Sequence, residues 1–224
     1  MPLDPKRAII THRDHNLPCP YVAMVARTVD KKERDATPVA YQAVKKEWDK
    51  LRAWKDPPCW DEGHPRELKH VRDEALRTNQ TYHFGRIFDI CVEKGSKLPE
   101  GDPARKFKGR AVFQGNRVLD ENWEQAMFGE FGASPASMQA VKVCDIVGLF
   151  PGFGAEQADG SQADTQIILR GARTWVELHR EQWPKWWEEH GSHRPVCELF
   201  RALYGHPDSG TYWEDHCASN MAKV

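Results

Sequence analysis

The stretch "GRIFDICVEKGSKLPEGDPARKFKGRAVFQGN", residues 85–116, decides the fold class of this chain. Its first third is rich in β-branched and aromatic residues, and a turn rich in Pro and Gly, "SKLPEGDPA", follows. In its last third, small or aromatic residues occupy every second position: Phe107, Gly109, Ala111 and Phe113. Because successive side chains of a strand point to opposite faces, this period of two predicts a strand with one apolar face. The stretch therefore predicts a β-hairpin at about 84–116.

The second arm of this hairpin carries the densest positive charge in the chain. Residues 105–117 contain no acid and five cations: Arg105, Lys106, Lys108, Arg110 and Arg117. Cations that alternate along a strand can bind phosphate groups, with Arg as a bidentate fork and Lys as a point charge. They can equally form the solvated face of an ordinary hairpin, and both interpretations stay open at this level.

Composition limits the class of protein. The chain has 224 residues, of which 40% are hydrophobic and 29% charged, enough for one large domain or two small ones with a core. The net charge of −1 does not indicate a nucleic-acid binder, although a local basic patch can do that work. We expect no membrane span, since no run of 18 apolar residues exists, and "MPLDPKRAII" lacks the apolar core of a secretory signal. Six cysteines without a CxxC pair are typical of a reduced, intracellular protein, cytoplasmic or nuclear.

Three helices are predicted around the hairpin. The clearest covers about 38–56, with Thr37 as N-cap, Pro38 in the first turn, and Val44, Trp48 and Leu51 on one apolar face. A second fits residues 65–79 with its apolar residues inward: Leu68, Val71, Ala75 and Leu76. A third is predicted at about 135–149 with Ser134 as N-cap. Its apolar positions are Ala140, Val141, Cys144, Val147 and Leu149.

The rest of the chain mixes short elements. We predict a strand at 155–159, a short helix at 162–169, a strand at 174–178, a broken helix at 181–190, an extended-to-helical segment at 194–205 and a final helix at 208–222 capped by Asp208. Hairpins and helices follow each other without regular βαβ alternation, which indicates an α+β fold. Residues 1–36 are weakly patterned and are interpreted as an N-terminal extension or linker, with its charge run at 30–35 as a solvated linker or helix end.

Four blocks, in this order, carry a resemblance to a known family: "VKKEWDKLRAWKDPPCW" (44–60), "RKFKGRAVFQGN" (105–116), "EQADGSQADTQ" (156–166) and "PVCELFRALYGHPDSGTYWEDH" (195–216). Together they resemble the reverse transcriptase domain of copia-type retrotransposon polyproteins, especially the divergent copies of dinoflagellate algae. The resemblance implies that residues 37–224 form the fingers and partial palm of a right-hand polymerase. It also implies an RNA-directed DNA polymerase that uses a nucleic-acid template–primer, a deoxynucleotide and Mg²⁺.

The resemblance assigns roles to five residues. Asp159 matches the catalytic, metal-binding aspartate, and carboxylates there suit two-metal phosphoryl transfer. Lys108 and Arg110 match the cations that reach the triphosphate, and Gly109 between them replaces the usual alanine, a mild change. Ala163 and Asp164 fall in the nucleotide-binding turn, where Asp164 stands in place of the aromatic residue that stacks under the sugar. An aspartate cannot stack and adds negative charge, and it can also be merely a solvated acid at a helix start.

The family's second catalytic block is absent from these residues. No aromatic-x-Asp-Asp run occurs, and no two aspartates are adjacent. Because one carboxylate cannot hold two metals, we expect a polymerase fragment that is inactive alone. Two alternatives stay open: a non-catalytic nucleic-acid-binding module derived from the fingers, and a structural or interaction protein that uses its tryptophan-rich helices.

Two further groups have competing interpretations. Trp48, Trp54 and Trp60 are most simply packing residues, although tryptophan can also stack on bases. The segment "HGSHRPVC" places His190, His193 and Cys197 close in sequence, which hints at zinc, but no fourth ligand has suitable spacing.

Overall fold

The computed structural model describes residues 26–129, 136–156 and 160–223. Within these ranges six strands form one mixed sheet in the order β1-β3-β5-β6-β2, with β4 paired to β3. The strands are β1 (Arg27–Val29), β2 (Arg66–Glu67), β3 (Tyr82–Lys94), β4 (Lys106–Phe113), β5 (Arg173–Glu177) and β6 (Pro195–Leu199). The pair β3/β5 is parallel and the other pairs are antiparallel. The α+β class is confirmed.

The helices of the described ranges are α1 (Lys31–Ala36), α2 (Pro38–Arg52), α3 (Leu68–Thr78), α4 (Met138–Gly148), α5 (Lys185–Glu189) and α6 (Ser209–Met221). Single 3₁₀ turns lie at Gly115–Arg117, Asp164–Gln166 and Arg180–Gln182. The predicted strand at 174–178 is β5, the broken helix at 181–190 is a 3₁₀ turn followed by α5, and the final helix is α6. The helix predicted at 162–169 is wrong in type, because only the 3₁₀ turn at Asp164–Gln166 forms there.

The predicted hairpin is β3 with β4. Their register runs from Ile87 opposite Phe113 to Lys94 opposite Lys106. Gly109 and Ala111 are buried on one face, whereas Lys108 and Arg110 are exposed on the other. The period of two therefore assigns the faces of β4 correctly.

Helix α2 covers the buried face of the hairpin. Its residues Val44, Trp48 and Leu51 are buried as predicted, and the Trp48 indole N–H donates to Asp89 on β3 at 2.6 Å. A Cβ built at Gly109 would lie 2.4 Å from Val44 Cα. The interpretation of Gly109 as a mild change is therefore wrong for this fold, since the missing side chain is what lets α2 approach β4.

The boundaries of α2 and α3 differ slightly from the prediction. Thr37 occupies the N-cap of α2, but its hydroxyl makes no capping hydrogen bond, and the helix ends at Arg52. In α3 the predicted inward residues are buried except Leu76, which is 44% exposed. Leu76 follows the buried Ala75 directly, and one residue turns a helix by about 100°, so Leu76 falls outside the buried stripe.

Helix α4 forms, but its apolar residues are not covered. Ser137, at the N-cap, accepts a hydrogen bond from the Ala140 N–H at 3.1 Å. The predicted cap, Ser134, lies outside the described residues. Val141, Val147 and Leu149 are 46%, 41% and 78% exposed, and the other predicted apolar positions, Ala140 and Cys144, are exposed as well.

Residues 27–36, which the sequence groups with the N-terminal extension, contribute ordered elements. Strand β1 pairs with β3, placing Arg27 opposite Glu93. The charge run at 30–35 forms most of α1, and its Arg34 is buried in an ion pair with Asp89 at 2.9 Å.

One predicted strand lies mostly outside the described residues, and one predicted segment formed only in part. Ala155 and Glu156 are not in a strand, and the rest of the strand predicted at 155–159 lies outside the described residues. The segment 194–205 is extended in β6, but its second half is irregular rather than helical. Among the residues that the structure describes, no helix has the length and apolarity needed to cross a membrane.

Candidate nucleic-acid interface

The exposed face of the hairpin carries four cations in a patch, which we call the basic face: Lys94, Lys106, Lys108 and Arg110. Lys94 is directly opposite Lys106, while Val92 and Ile90 are opposite Lys108 and Arg110. Since residues directly opposite in an antiparallel pair share a face, all four cations project from the same side of the sheet.

The positive charges of the basic face are not taken up in salt bridges with the described residues. Within the described ranges, none of its four cations forms an ion pair. Arg105, which the sequence counted with them, is different: its Nε donates to the buried Glu93 at 2.6 Å, and Arg27 donates to the same carboxylate at 2.6 Å. Arg105 is therefore neutralised, and Lys94 takes its place in the patch.

The cations of the basic face act on one another. The pKa of Lys108 lies below its ordinary value, because of partial burial first and then because of the neighbouring Arg110 and Lys94. Mutual repulsion of this kind is relieved when an anion binds. The electrostatics of the face therefore favour a polyanion.

Arg110 is the cation that connects the basic face with the other predicted site residues. Its guanidinium carbon lies 5.0 Å from the ring centroid of Tyr204, a cation–π distance. Its charge also acts on the half-buried Asp164: burial raises the pKa of that carboxyl, and Arg110 opposes the rise. The structure thus brings Arg110 and Asp164 together.

Arg201 stabilises the turn that carries Asp164 through hydrogen bonds to the backbone of that turn. This largely buried guanidinium donates to the carbonyls of Thr165 at 3.1 Å and Gln166 at 3.3 Å, and it lies 4.3 Å from the ring centroid of Trp54. Asp164 begins the 3₁₀ turn, with Ala163 at its N-cap. Asp164 is thus a positioned, half-buried acid rather than a freely solvated one.

Asp159 is the predicted metal ligand. Asp159 lies outside the described residues, although the adjacent Gly160 is close to Trp213 of α6: a Cβ at Gly160 would be 3.1 Å from that indole. In the ranges the structure describes, no group of three or more His, Cys, Asp or Glu residues could hold a metal ion.

The zinc hint at 190–197 gains no geometric support. Cys197 is fully buried in the core, and burial raises the pKa of its thiol well above the ordinary range. The imidazole of His190 is instead within 2.8 Å of the Trp186 carbonyl.

Gly115 and Gly205 allow the blocks 105–116 and 195–216 to pack closely against each other. The sequence alone did not predict this contact. A Cβ at Gly115, after β4, would lie 2.1 Å from the Gly205 carbonyl oxygen. A Cβ at Gly205 would lie 2.3 Å from the Phe113 carbonyl oxygen. The Phe113 N–H also donates to the Tyr204 carbonyl at 2.8 Å. This backbone contact sets Tyr204 beside Arg110, and the only sequence signal was a glycine in each block.

Trp48 and Trp60 of the first block are buried packing residues, whereas Trp54 is half-buried against the same core. Trp48 and Trp60 are 1% and 3% exposed and meet edge to face at 5.6 Å. Rings so deeply buried have no free surface on which a base could stack.

Comparison of the chain with protein-family models, with curated proteins and with solved structures finds no match.

Proposed function

We propose that this chain binds the sugar–phosphate backbone of nucleic acid through the basic face. The observation that carries the proposal is the group of four cations on one face of the hairpin, none of which forms an ion pair with the residues that the structure describes. A strand rises about 3.3 Å per residue, so Lys106, Lys108 and Arg110 present charges at intervals of about 7 Å. Fixed cations in line bind a polyanion by releasing its condensed counterions.

We propose further that the chain is related to the fingers and partial palm of a copia-type reverse transcriptase. The positions of three residues support this origin. Arg110, Asp164 and Tyr204 come from three of the blocks that carry the resemblance, and they lie together around one corner of the basic face. Chance similarity of separate short blocks gives no reason for such a cluster.

The proposal assigns binding, and not nucleotide addition, to these 224 residues alone. The resemblance supplies one metal-binding carboxylate, Asp159, with Mg²⁺ as its ion, whereas two-metal phosphoryl transfer needs several oxygen ligands at a fixed separation. An acid beside Arg110, where the family has a stacking aromatic residue, favours the alternative of a non-catalytic nucleic-acid-binding module.

The test is the salt dependence of binding to a template–primer duplex. Replacing Lys108 and Arg110 together by Ala should weaken binding and lower the slope of log K against log salt by up to about two units. The matched control replaces Lys69 and Arg77 of α3 by Ala. Both are exposed, and neither forms an ion pair within the described part of the chain. The control removes the same charge and should leave the slope within error. Equal slopes for the two double variants would reject the basic face as the binding surface.

A further inference from the structure

A cavity of about 280 Å³ lies beside one end of the basic face. Phe88 of β3 and Trp183, after the 3₁₀ turn Arg180–Gln182, contribute its aromatic surface. Phe88 is opposite Val112, two residue pairs along from Ile90 and Arg110 and on the same face of the hairpin. Because diagonal neighbours across two strands are about 7–8 Å apart, Arg110 and Phe88 are within the reach of one bound nucleotide.

The Trp183 ring of this cavity is held by the fold. Its indole N–H donates to the Leu178 carbonyl at 3.0 Å, and its ring packs on Trp187 with centroids 5.8 Å apart. Phe88 is a half-buried residue in the middle of the central strand. Trp183 therefore offers a ring that is already ordered, with the Arg180 guanidinium 5.7 Å from its centroid, and Phe88 offers a ring on an ordered strand.

Polar groups with unused hydrogen-bonding capacity line the same cavity. Within the part of the chain that the structure describes, the side chains of Gln114 and His179 have no hydrogen-bond partner. The acid of the cavity, Glu177, is already neutralised, since its carboxylate forms an ion pair with Arg86 at 3.3 Å and accepts a hydrogen bond from Arg194 at 3.1 Å. The cavity thus combines stacking surface with free donors and acceptors and has no unbalanced negative charge.

The size of the cavity restricts the ligand. Pockets for whole small molecules occupy about 300–1,000 Å³, so 280 Å³ admits one planar ring system and leaves the rest of the ligand outside. By strand register, Arg110 of the basic face is the diagonal neighbour of Phe88 across the hairpin. A nucleobase with its phosphates on the adjacent cations satisfies both conditions.

We propose that this cavity binds one unstacked base of a single-stranded nucleic acid whose backbone lies along the basic face. The inference rests on the proposed function, since the cations must first hold the backbone. It goes beyond that function because it assigns a preference for single strands: bases of a duplex are stacked and paired, and cannot enter a cavity without being extruded.

The experiment compares oligo(dT), oligo(rU) and an abasic oligonucleotide of the same length and charge. The unmodified chain should bind at least one base-bearing strand about tenfold more tightly than the abasic strand, as expected for one aromatic stacking contact. Whichever strand shows the preference, DNA or RNA, identifies the sugar.

Phe88→Leu should bring the ratio of base-bearing to abasic affinity close to one, without changing abasic binding or its salt slope. Phe88→Tyr, which keeps the ring, should preserve that ratio. Tyr41→Leu is the control, because Tyr41 is an exposed aromatic residue of α2, which packs on the opposite face of the hairpin.

The outcomes separate the two proposals. Equal binding of base-bearing and abasic strands by the unmodified chain overturns the base cavity and leaves backbone binding intact. A Phe88→Leu variant that loses affinity for all strands alike shows a merely structural role and also overturns the cavity. Failure of the unmodified chain to bind any strand overturns the proposed function together with the cavity.

Discussion

Asp164 is an acid that opposes the basic face, because its carboxyl is within the electrostatic reach of Arg110. Burial raises the pKa of its carboxyl above the ordinary value of 3.8, and the positive charge of Arg110 lowers it again in part. The ionised form of this carboxyl attracts the guanidinium that a phosphate would otherwise bind. Asp164 should therefore weaken binding rather than contribute to it.

Replacing Asp164 by Asn is expected to tighten binding to a template–primer duplex at pH 7 by about two- to fivefold, as for the removal of one opposing charge near a partly exposed cation. The pH dependence has a definite sign. As pH falls toward the raised pKa of Asp164, the carboxyl of the unmodified chain gains a proton, so its affinity should approach that of the Asn variant. Fluorescence anisotropy from pH 7 to pH 4 measures this convergence.

The control for this prediction is Asp73→Asn, which removes an exposed acid of α3 far along the chain from the site. An increase in affinity of the same size in both variants would mean that only net charge matters and that the electrostatic effect of Arg110 on Asp164 has no role.

Among the elements, the connection between β4 and the loop before α6 depends on Gly115 and Gly205. Gly205 has φ +87°, in the region that favours glycine, and its Cα faces the Phe113 carbonyl. A side chain there would be strained and would also separate the two segments. The contact matters for the site because it positions Tyr204.

Gly205→Ala is expected to destabilise the chain more than Gly101→Ala does, and the comparison isolates the contact. Gly101 also has φ +87°, but a Cβ built there meets nothing within 4 Å. Gly101→Ala should cost only the backbone strain, about 1–2 kcal/mol, whereas Gly205→Ala should add at least about 2 kcal/mol for the displaced backbone. Urea unfolding followed by far-UV circular dichroism gives both values, and equal losses would refute the close approach.

Sequence predicted the elements whose signals are local. The alternation in β4 and the spacing of Val44, Trp48 and Leu51 in α2 reflect burial against a neighbouring element, so the pattern alone assigns the buried face. The same reasoning failed for α4, because periodicity identifies apolar residues but does not say whether another element covers them. The Gly109 contact was missed for a related reason: it depends on how closely α2 approaches β4.

The candidate site was predictable only in part. The alternation in β4 predicts that Lys108 and Arg110 lie on the exposed face. Lys94 lies on the same face because of the strand register, and the composition of the long turn does not determine that register. Tyr204 and Trp183 come from segments almost a hundred and about seventy positions away from Arg110, respectively. Their proximity results from the order of strands in the sheet, and a single sequence contains no local signal for that order.

At the scale of the whole molecule, a buried cluster joins the central strand to the C-terminal part. His83 of β3 and His206 before α6 are 6% and 4% exposed. The His206 ring lies 5.0 Å from Phe113 and 5.5 Å from Phe128, and Phe128 lies 4.8 Å from His83 (centroid distances). The His206 Nδ1 accepts a hydrogen bond from the Asp208 N–H at 3.3 Å, so this ring is neutral in the folded chain.

This cluster should make the folded state sensitive to acid. Burial, with a smaller contribution from His83, lowers the pKa of His206 from 6.5 to about 4, and burial lowers the pKa of His83 as well. As pH falls below 6.5 the unfolded chain therefore gains a proton at this position before the folded chain does. The unfolding free energy therefore decreases progressively from pH 6.5 down to about pH 4. At pH 4, His206 alone accounts for about 3 kcal/mol of this decrease.

His206→Phe tests this directly, since phenylalanine keeps a planar ring among Phe113 and Phe128 but cannot be protonated. The loss of unfolding free energy between pH 7 and pH 4 should be about 3 kcal/mol smaller in this variant than in the unmodified chain. The control is His190→Phe, which removes an exposed histidine instead of a buried one. It should leave the loss of unfolding free energy between pH 7 and pH 4 unchanged. Urea unfolding at a series of pH values yields the three curves. Parallel curves for the unmodified chain and His206→Phe would show that His206 is protonated as readily in the folded state as in the unfolded one, and the cluster would then have no part in the acid sensitivity of the fold.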